Sequence, residues 1–208
     1  MLRARAVHPK DESQRHRLLA FIKAEARGGL FPRPANILDN AIQSGQAIYI
    51  EDGEAIVAGA LMFDYTGNRC HYYEIGTHLV ARSHEGRGFQ VALTRLQIAQ
   101  ACLDLEDIEA SPIFAIMENN SPSLHNAVNH ARFKIWELPD ELRSLRDRTG
   151  VRSSAEKLVC NADDEAIQAA FSALRVSVSG GVLKTHKDET PIHLDFPWLD
   201  YLLQAGPY

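Results

Sequence analysis

The loop HEGRGFQVAL, residues 84–93, places Gly86 and Gly88 around Arg87, directly before a stretch with the spacing of an apolar helix. Glycine lets a backbone approach a ligand closely, and a helix start offers unpaired N–H groups and the positive end of the helix dipole. This combination suits a phosphate group. The alternative is an ordinary strand-to-helix turn that needs glycine for a positive φ angle. The segment matches neither the P-loop pattern nor the three-glycine dinucleotide fingerprint.

Residue types suited to proton transfer lie on the segment before this loop, CHYYEIGTHLV, residues 70–80. Strand alternation predicts one face that carries Tyr72, Glu74, Gly76, His78 and Val80. Burial among aromatic and apolar neighbours raises the pKa of a carboxylate, which would prepare Glu74 to act as a general base. His78 on the same face is the second candidate. The alternative role for Glu74 is a carboxylate paired across the sheet or exposed at an edge.

The glycine loop and the candidate proton-transfer residues lie within a predicted alternation of strands and helices. The patterns predict strands at 3–7, 69–81, 112–117 and 132–138, helices at 11–29, 37–45, 88–105 and 121–131, and a hairpin over 46–65 that turns at Asp52-Gly53. Gly67-Asn68 offers a further turn, and Ser121 before Pro122 is a predicted N-cap. The helix after the glycines should bury Phe89, Ala92, Leu93, Leu96, Ala99, Cys102 and Leu103, with Thr94, Arg95, Gln97 and Gln100 mostly elsewhere.

The glycine loop, the strand before it and the strand and helix after it together resemble the GNAT superfamily of acyl-CoA-dependent N-acyltransferases. The matching positions are Leu79 and Val80 at the strand end, Gly88, Phe89, Leu93, Asn120 with Ser123, and Phe133. Three positions depart from the family pattern, which has Arg or Gln at Glu85, Gly or Ala at Gln90, and Gly at Arg132. The resemblance covers about residues 1–138 in element order.

The resemblance implies an α/β (α+β) fold with a mixed, mostly antiparallel central sheet flanked by helices. It also implies acetyl-CoA as co-substrate, with an amine attacking the thioester directly and no nucleophilic residue. Backbone groups near Leu79 and Val80 would face the pantetheine arm, and Asn120 and Ser123 would contribute to the coenzyme A site. The N–H groups of residues in the loop, Glu85, Gly86, Arg87, Gly88, Phe89 and Gln90, would face the diphosphate. Glu74 matches the glutamate that takes the proton in many family members, often through water.

The C-terminal third lies beyond the resemblance, so we expect a core over residues 1–138 and an extension over 139–208 packed on it. Residues 139–154 are expected to form a charged helix and linker, 156–161 a strand, 163–178 a helix capped by Asp163 or Asp164, and 180–208 an irregular tail. Trp198, Leu199, Tyr201 and Leu202 are too apolar for a free tail. Three roles stay open for them: docking on the core, completing an acceptor pocket, or forming a homodimer interface.

Composition restricts the partners. The chain has 208 residues, a net charge of -5 and 45% hydrophobic residues, which suits a globular protein and disfavours nucleic acid as the main partner. No segment has the length and apolar character of a signal peptide or membrane span, so no membrane partner and a cytoplasmic location are expected. The three cysteines, Cys70, Cys102 and Cys160, favour reduced thiols, and no structural metal is expected.

Three functions therefore stay open. The first is an acetyl-CoA-dependent N-acetyltransferase acting on a small-molecule amine or an exposed amino group. The second is a non-catalytic GNAT-like binding or regulatory module in which Glu85 and Gln90 have cost the coenzyme A site its function. The third is a structural or oligomerisation protein whose C-terminal segment mediates assembly. The loops around 28–36 and 64–69, which would select the acceptor, carry no diagnostic pattern.

Overall fold

A computed structural model describes residues 1–26, 33–66, 71–104, 112–137 and 157–204. The helices are α1 (Glu12–Glu25), α2 (Ala35–Gln43), α3 (Phe89–Asp104), α4 (Pro122–His130), α5 (Asp164–Ser177) and α6 (Leu199–Gln204). The strands are β1 (Leu2–Ala6), β2 (Ala47–Asp52), β3 (Ala55–Thr66), β4 (His71–Val80), β5 (Ile113–Glu118), β6 (Lys134–Ile135), β7 (Lys157–Ala162), β8 (Val178–Ser179), β9 (Val182–Lys184) and β10 (Pro191–Asp195). The turn at Gly67-Asn68 and the helix and linker at 139–154 lie outside the described residues.

One sheet organises the described chain, in the order β6-β7-β5-β4-β3-β2-β1-β10-β9-β8. Its pairs are antiparallel except β4 with β5 and β1 with β10, which confirms the expected mixed, mostly antiparallel α/β fold. One face packs on α1 and α2 through a cluster that includes Leu18, Ile42 and Tyr49. The other face packs on α3, α4 and α5 through a larger cluster that includes Leu93, Ala127 and Phe171. The sheet is therefore the middle of three layers.

Helix α3 is buried on more sides than its sequence pattern predicts. The expected apolar face is buried at Phe89, Ala92, Leu93, Leu96, Ala99 and Cys102, while the side chain of Leu103 lies outside the described part. Thr94 and Gln97 are buried too, at 6% and 0% exposed. The prediction that these two polar residues lie mostly away from the core is wrong. The physical reason is α5, whose Ile167, Phe171 and Leu174 belong to the same core cluster as the α3 residues. A helix covered by both a sheet and a second helix keeps little solvent-facing surface.

The C-terminal segment is part of the sheet, so the expected irregular tail over 180–208 is wrong for its described part. Strands β8, β9 and β10 extend the sheet beyond β1, with Arg3 opposite His193 and Arg5 opposite Asp195. Strand β7 lies between β5 and β6. Strands from both sides of the expected division at residues 138 and 139 therefore belong to the same sheet. Among the described residues, no helix combines the length and apolar character needed to cross a bilayer.

Two irregularities in β4 shape the middle of the sheet. Strand β4 pairs with β5 only at Tyr73 with Ile113 and Glu74 with Phe114, after which the two strands separate. On its other side, Gly59 of β3 lies opposite Leu79, whereas Leu61 lies opposite Gly76. Thr77 and His78 therefore share one position of β3, which is a β-bulge, and Thr77 has a φ of 50°. The separation opens the sheet, and the bulge changes the direction of the side chains that follow it.

Candidate active site

The glycine loop lies where β4 ends and α3 begins. A short 3₁₀ turn, Arg82–His84, leaves the strand, and Gly86 and Gly88 follow with φ values of 78° and 85°. Helix α3 starts at Phe89, so the N–H groups of its first turn have no partner within the helix. The N–H of Glu85 donates to the Arg82 carbonyl at 3.3 Å, which removes it from the expected set of phosphate donors. The Glu85 side chain is exposed.

A cavity of about 690 Å³ lies against this loop. It is lined by Glu25, His78, Leu79, Val80, His84, Glu85, Gly86, Gly88, Phe89, Gln90, Pro122, His125, Asn126, His186 and Lys187. A second cavity, of about 130 Å³, lies where β4 and β5 separate, and Gly76, Thr77, His78, Gln90 and Ser123 are among its lining residues. His78 and Gln90 line both cavities. Most of the predicted coenzyme residues therefore line one or other of two cavities that share His78 and Gln90, one at the strand gap and one at the glycine loop.

The two predicted proton-transfer residues lie on opposite faces of β4, so the prediction that they share a face is wrong. His78 contacts α3 through Thr94, whereas Glu74 contacts Tyr65 of β3 and Arg33, which precedes α2. The β-bulge at Thr77 and His78 is the cause. It adds one residue to β4, and an extra residue reverses the alternation of every side chain beyond it.

Glu74 is 3% exposed and holds a compact polar network. The Arg33 guanidinium donates to one carboxylate oxygen, and the Tyr65 hydroxyl donates to the other at 2.8 Å. Arg33 also donates to the Tyr65 oxygen at 2.9 Å and covers the Phe63 ring at 3.9 Å from its centroid. Burial raises the pKa of Glu74, and the charge of Arg33 opposes this rise. Neither Glu74 nor Tyr65 lines the two cavities, and Tyr65 is partly exposed.

Sequence reasoning missed Arg33 and Tyr65, although both lie within the segments 28–36 and 64–69 that were expected to select the acceptor, and Tyr65 belongs to β3 there. Tyr65 stands opposite Tyr72 in the β3–β4 register, nine residues before Glu74 in the chain. The hairpin alignment could have placed Tyr65 near Glu74. No local pattern connects Arg33 to a carboxylate 41 residues away.

His78 is a neutral imidazole in this site. Burial lowers its pKa to about 4, although the side chain of Gln97 opposes this change. Its Nε2 lies 3.3 Å from the Thr94 hydroxyl, which itself donates to the Gln90 carbonyl at 2.9 Å. Because that hydroxyl proton is already used, the contact assigns the proton to Nε2 of His78 and leaves Nδ1 as the acceptor.

Helix α4 closes the other side of the cavities. Ser121 caps it by accepting from the Leu124 N–H at 3.1 Å, as predicted. Asn120 is exposed and lines neither cavity. Its φ of 61° places it in the left-handed turn that follows β5, a conformation that asparagine tolerates. Arg132, where the family has glycine, also has a positive φ, of 63°. Gln90, the third departure, accepts from the Asn126 amide at 2.8 Å and so joins α3 to α4.

The turn between β9 and β10 also reaches this site, which sequence reasoning did not anticipate. Arg87 of the glycine loop pairs with Asp188 at 3.2 Å and donates to the Thr190 hydroxyl at 3.0 Å. Hydrogen bonds from Thr185 and Thr190, together with Arg87, lower the pKa of Asp188 well below its usual range. The same turn places His186 and Lys187 in the cavity lining. Within the described residues, no three or more His, Cys, Asp or Glu side chains are arranged to hold a metal.

No protein-family model and no curated protein matches this chain. Solved structures do match its fold. The NatC complex bound to Gag peptide and CoA aligns with 77% of this chain and 96% of its own, at 11% identity and a TM-score of 0.56. Arabidopsis thaliana Naa50 with the bisubstrate analogue CoA-Ac-MVNAL aligns with 78% of this chain and 98% of its own, at 12% identity and a TM-score of 0.53. A GNAT acetyltransferase from Streptococcus pneumoniae aligns with 77% and 98%, at 10% identity and 0.56. This chain therefore has the fold of the GNAT acetyltransferases.

Proposed function

We propose that this protein is an acetyl-CoA-dependent N-acetyltransferase that acts on a primary amine by direct attack on the thioester. The observation that carries the proposal is a pair of cavities, one where β4 and β5 separate and one at the glycine loop before α3, that share His78 and Gln90 in their linings. The acceptor is a small-molecule amine or an exposed amino group. Two structures with a similar fold support this acceptor class: the NatC complex was solved with CoA and a peptide, and Naa50 was solved with a CoA–peptide analogue.

The residues around these two cavities suit the parts of coenzyme A. Backbone N–H groups at the start of α3, with the helix dipole behind them, suit the diphosphate. Strand β4 leaves its partner β5 after Glu74, so backbone groups of the segment up to Val80 on that side are available to an extended amide-bearing arm. The larger cavity, about 690 Å³, lies within the size range of ligand sites. The thioester of acetyl-CoA would supply the activated acyl group.

The proton of the incoming ammonium needs an acceptor, and we assign that role to Glu74 acting through Tyr65. Glu74 is enclosed, whereas the Tyr65 hydroxyl that donates to it is on a partly exposed side chain. The Tyr65 oxygen would take the amine proton as its own proton passes to Glu74, which becomes neutral. Burial, which raises the pKa of Glu74, favours that neutral product. Arg33 fixes the orientation of both groups.

Coenzyme binding is the first test of the proposal. Thermal unfolding with acetyl-CoA at 100 times its dissociation constant should raise the free energy of unfolding by about 2.7 kcal/mol. A panel of peptides with free amino termini, polyamines, amino acids and amino sugars then identifies an acceptor through release of the free thiol of coenzyme A. No binding of acetyl-CoA would reject the proposed function and favour the non-catalytic module with a degenerate coenzyme A site. Binding without turnover on any acceptor would reject the catalytic part of the proposal and leave coenzyme A binding intact.

Two matched variants test the proton path once an acceptor is known. Glu74→Gln keeps the shape of the side chain and should lower kcat by about 10²-fold or more, with little change in acetyl-CoA affinity. Tyr65→Phe should give a similar loss, because it removes the hydroxyl while the contact of Arg33 with Glu74 remains. A normal rate in Tyr65→Phe alone would show that the proton reaches Glu74 without Tyr65. A normal rate in Glu74→Gln would remove Glu74 from the mechanism and make His78 the next residue to test.

A further inference from the structure

A group of basic side chains lies beside the glycine loop and is not used by the proposed chemistry. It consists of Arg95 on α3, His125 and His130 on α4, Arg132 directly after α4, and His186 and Lys187 in the turn between β9 and β10, and we call it the basic cluster. The rings of His130 and His186 lie 4.6 Å apart, and those of His125 and His130 lie 5.6 Å apart. Three chain segments that are distant in sequence therefore bring their basic groups together at one place.

The charges that act on the two central imidazoles are positive. His130 is affected by His125, Arg95, Lys187 and Arg132, and His186 by His130, Arg95 and Lys187. Burial and these charges lower the pKa of both histidines. The neighbouring cations therefore disfavour the protonated form of the two imidazoles in the free protein, and a bound anion would offset this repulsion. Two carboxylates, Glu25 and Glu85, also line the large cavity.

The cluster is joined to the glycine loop by direct contact. An added Cβ on Gly88 would lie 2.8 Å from Nδ1 of His186, so the imidazole rests on the glycine itself. The pairing of Arg87 with Asp188 fixes the turn on the loop. Lys187, His186 and His125 all line the cavity that begins at the loop. An anion held by the cluster would therefore lie next to a ligand held by the loop.

We propose that the basic cluster binds the 3′-phosphate of coenzyme A, with Lys187 and His186 of the C-terminal turn among its ligands. This inference rests on the proposed coenzyme A binding and adds to it a specificity determinant from outside the resembling segment. Coenzyme A carries a diphosphate and a separate phosphate monoester. The unpaired N–H groups at the start of α3 suit the diphosphate, which leaves the side-chain cations for the monoester, the group with the higher charge density.

The test compares coenzyme A with 3′-dephospho-coenzyme A, which differs only in lacking this phosphate, by titration calorimetry on the full chain. The unmodified protein should bind coenzyme A at least about 10-fold more tightly than dephospho-coenzyme A, as expected for the loss of a charged hydrogen-bonded group. Lys187→Ala and His186→Gln should each weaken coenzyme A binding several-fold and leave dephospho-coenzyme A within about 2-fold. Lys184→Ala is the matched control, since it removes the same charge from β9 at a residue that does not line the cavity.

The outcomes separate the inference from the proposed function. Equal affinity of the unmodified protein for both ligands overturns the 3′-phosphate assignment but leaves coenzyme A binding intact. Equal weakening of both ligands by Lys187→Ala also overturns it, because the cluster would then contact a part that the two ligands share. Failure of the unmodified protein to bind either ligand rejects the coenzyme A site itself.

Discussion

Glu74 and His78 are four residues apart on one strand, yet they lie in different surroundings. Glu74 is held between Arg33 and Tyr65, and its pKa is raised by burial despite the nearby guanidinium. His78 faces α3 and stays neutral, because burial lowers its pKa to about 4. In both cases burial favours the neutral form, which makes Glu74 a stronger base and His78 a weaker one.

Gly86 and Gly88 offer a matched pair for testing the contact with His186. Both have a positive φ, so alanine at either position should cost about 1 kcal/mol of stability. Only at Gly88 would the new Cβ meet the His186 ring, since nothing lies within 4 Å at Gly86. We expect Gly88→Ala, but not Gly86→Ala, to displace the imidazole, seen as a shift of its ring signals in NMR and a reduced preference for coenzyme A over the dephospho form. Identical effects of the two variants would contradict the contact.

At the scale of elements, β4 shows both the success and the failure of pattern reading. Its extent was predicted closely, because a run of aromatic and β-branched residues between turn signals defines a strand. The predicted faces of its side chains were wrong beyond Gly76, because strict alternation assumes regular pairing. The extra residue at the bulge arises from the register with β3, which the sequence of β4 alone does not contain. Thr77 gives no warning of this, since a β-branched residue rarely adopts a φ of 50°.

The left-handed conformation of Thr77 leads to a prediction for the bulge. Glycine within a strand usually costs about 0.5–1 kcal/mol relative to alanine, but at Thr77 it also removes about 1 kcal/mol of left-handed strain. Thr77→Gly should therefore change the free energy of chemical unfolding less than Ala60→Gly, at the β3 residue opposite the bulge. A larger loss for Thr77→Gly would show that the strand prefers regular pairing at this position.

The strands that the sequence did not predict, β8 to β10, share one property, their short length. The helices α1 to α5 carry their own periodicity or caps, as with Ser121 and Asp163, and the pattern located them within a few residues. The strands β8 to β10 are two to five residues long, too short for a period to be read. They form because β1 offers a free edge in the sheet, a condition that exists only after the rest of the chain has folded.

At the scale of the whole molecule, the C-terminal strands contribute to the same core as the rest of the sheet. Ile192 on β10 is 0% exposed and belongs to the cluster that contains α3 and α5. Ile192→Ala should therefore cost about 2–5 kcal/mol in chemical unfolding. Ile135→Ala on β6, where the side chain is 57% exposed, is the control and should cost less than about 0.5 kcal/mol. A small loss for Ile192→Ala would instead describe a loosely docked tail.

The basic cluster exists only when the C-terminal turn lies on the glycine loop. The pH dependence of coenzyme A binding by this cluster is therefore a property of the whole folded chain. The pKa values of His130 and His186 lie below the usual 6.5 in the free protein, and both imidazoles are mostly neutral at pH 7. A bound phosphate would raise these pKa values, so coenzyme A binding should take up protons and strengthen as the pH falls. Dephospho-coenzyme A lacks this group and should show a weaker dependence.

We expect the ratio of the affinity for coenzyme A to that for dephospho-coenzyme A to increase as the pH falls from 8 to about 7, a range in which the phosphate monoester, with a second pKa of about 6, stays mostly dianionic. Titration calorimetry in buffers of different ionisation enthalpy measures the proton uptake directly. His186→Gln and His130→Gln should each flatten the pH dependence of the ratio, whereas His71→Gln, an exposed histidine on β4 outside the cluster, should not. A ratio that stays constant over this pH range would mean that the two imidazoles do not contact the phosphate, and Lys187 alone would then have to account for any preference between the ligands.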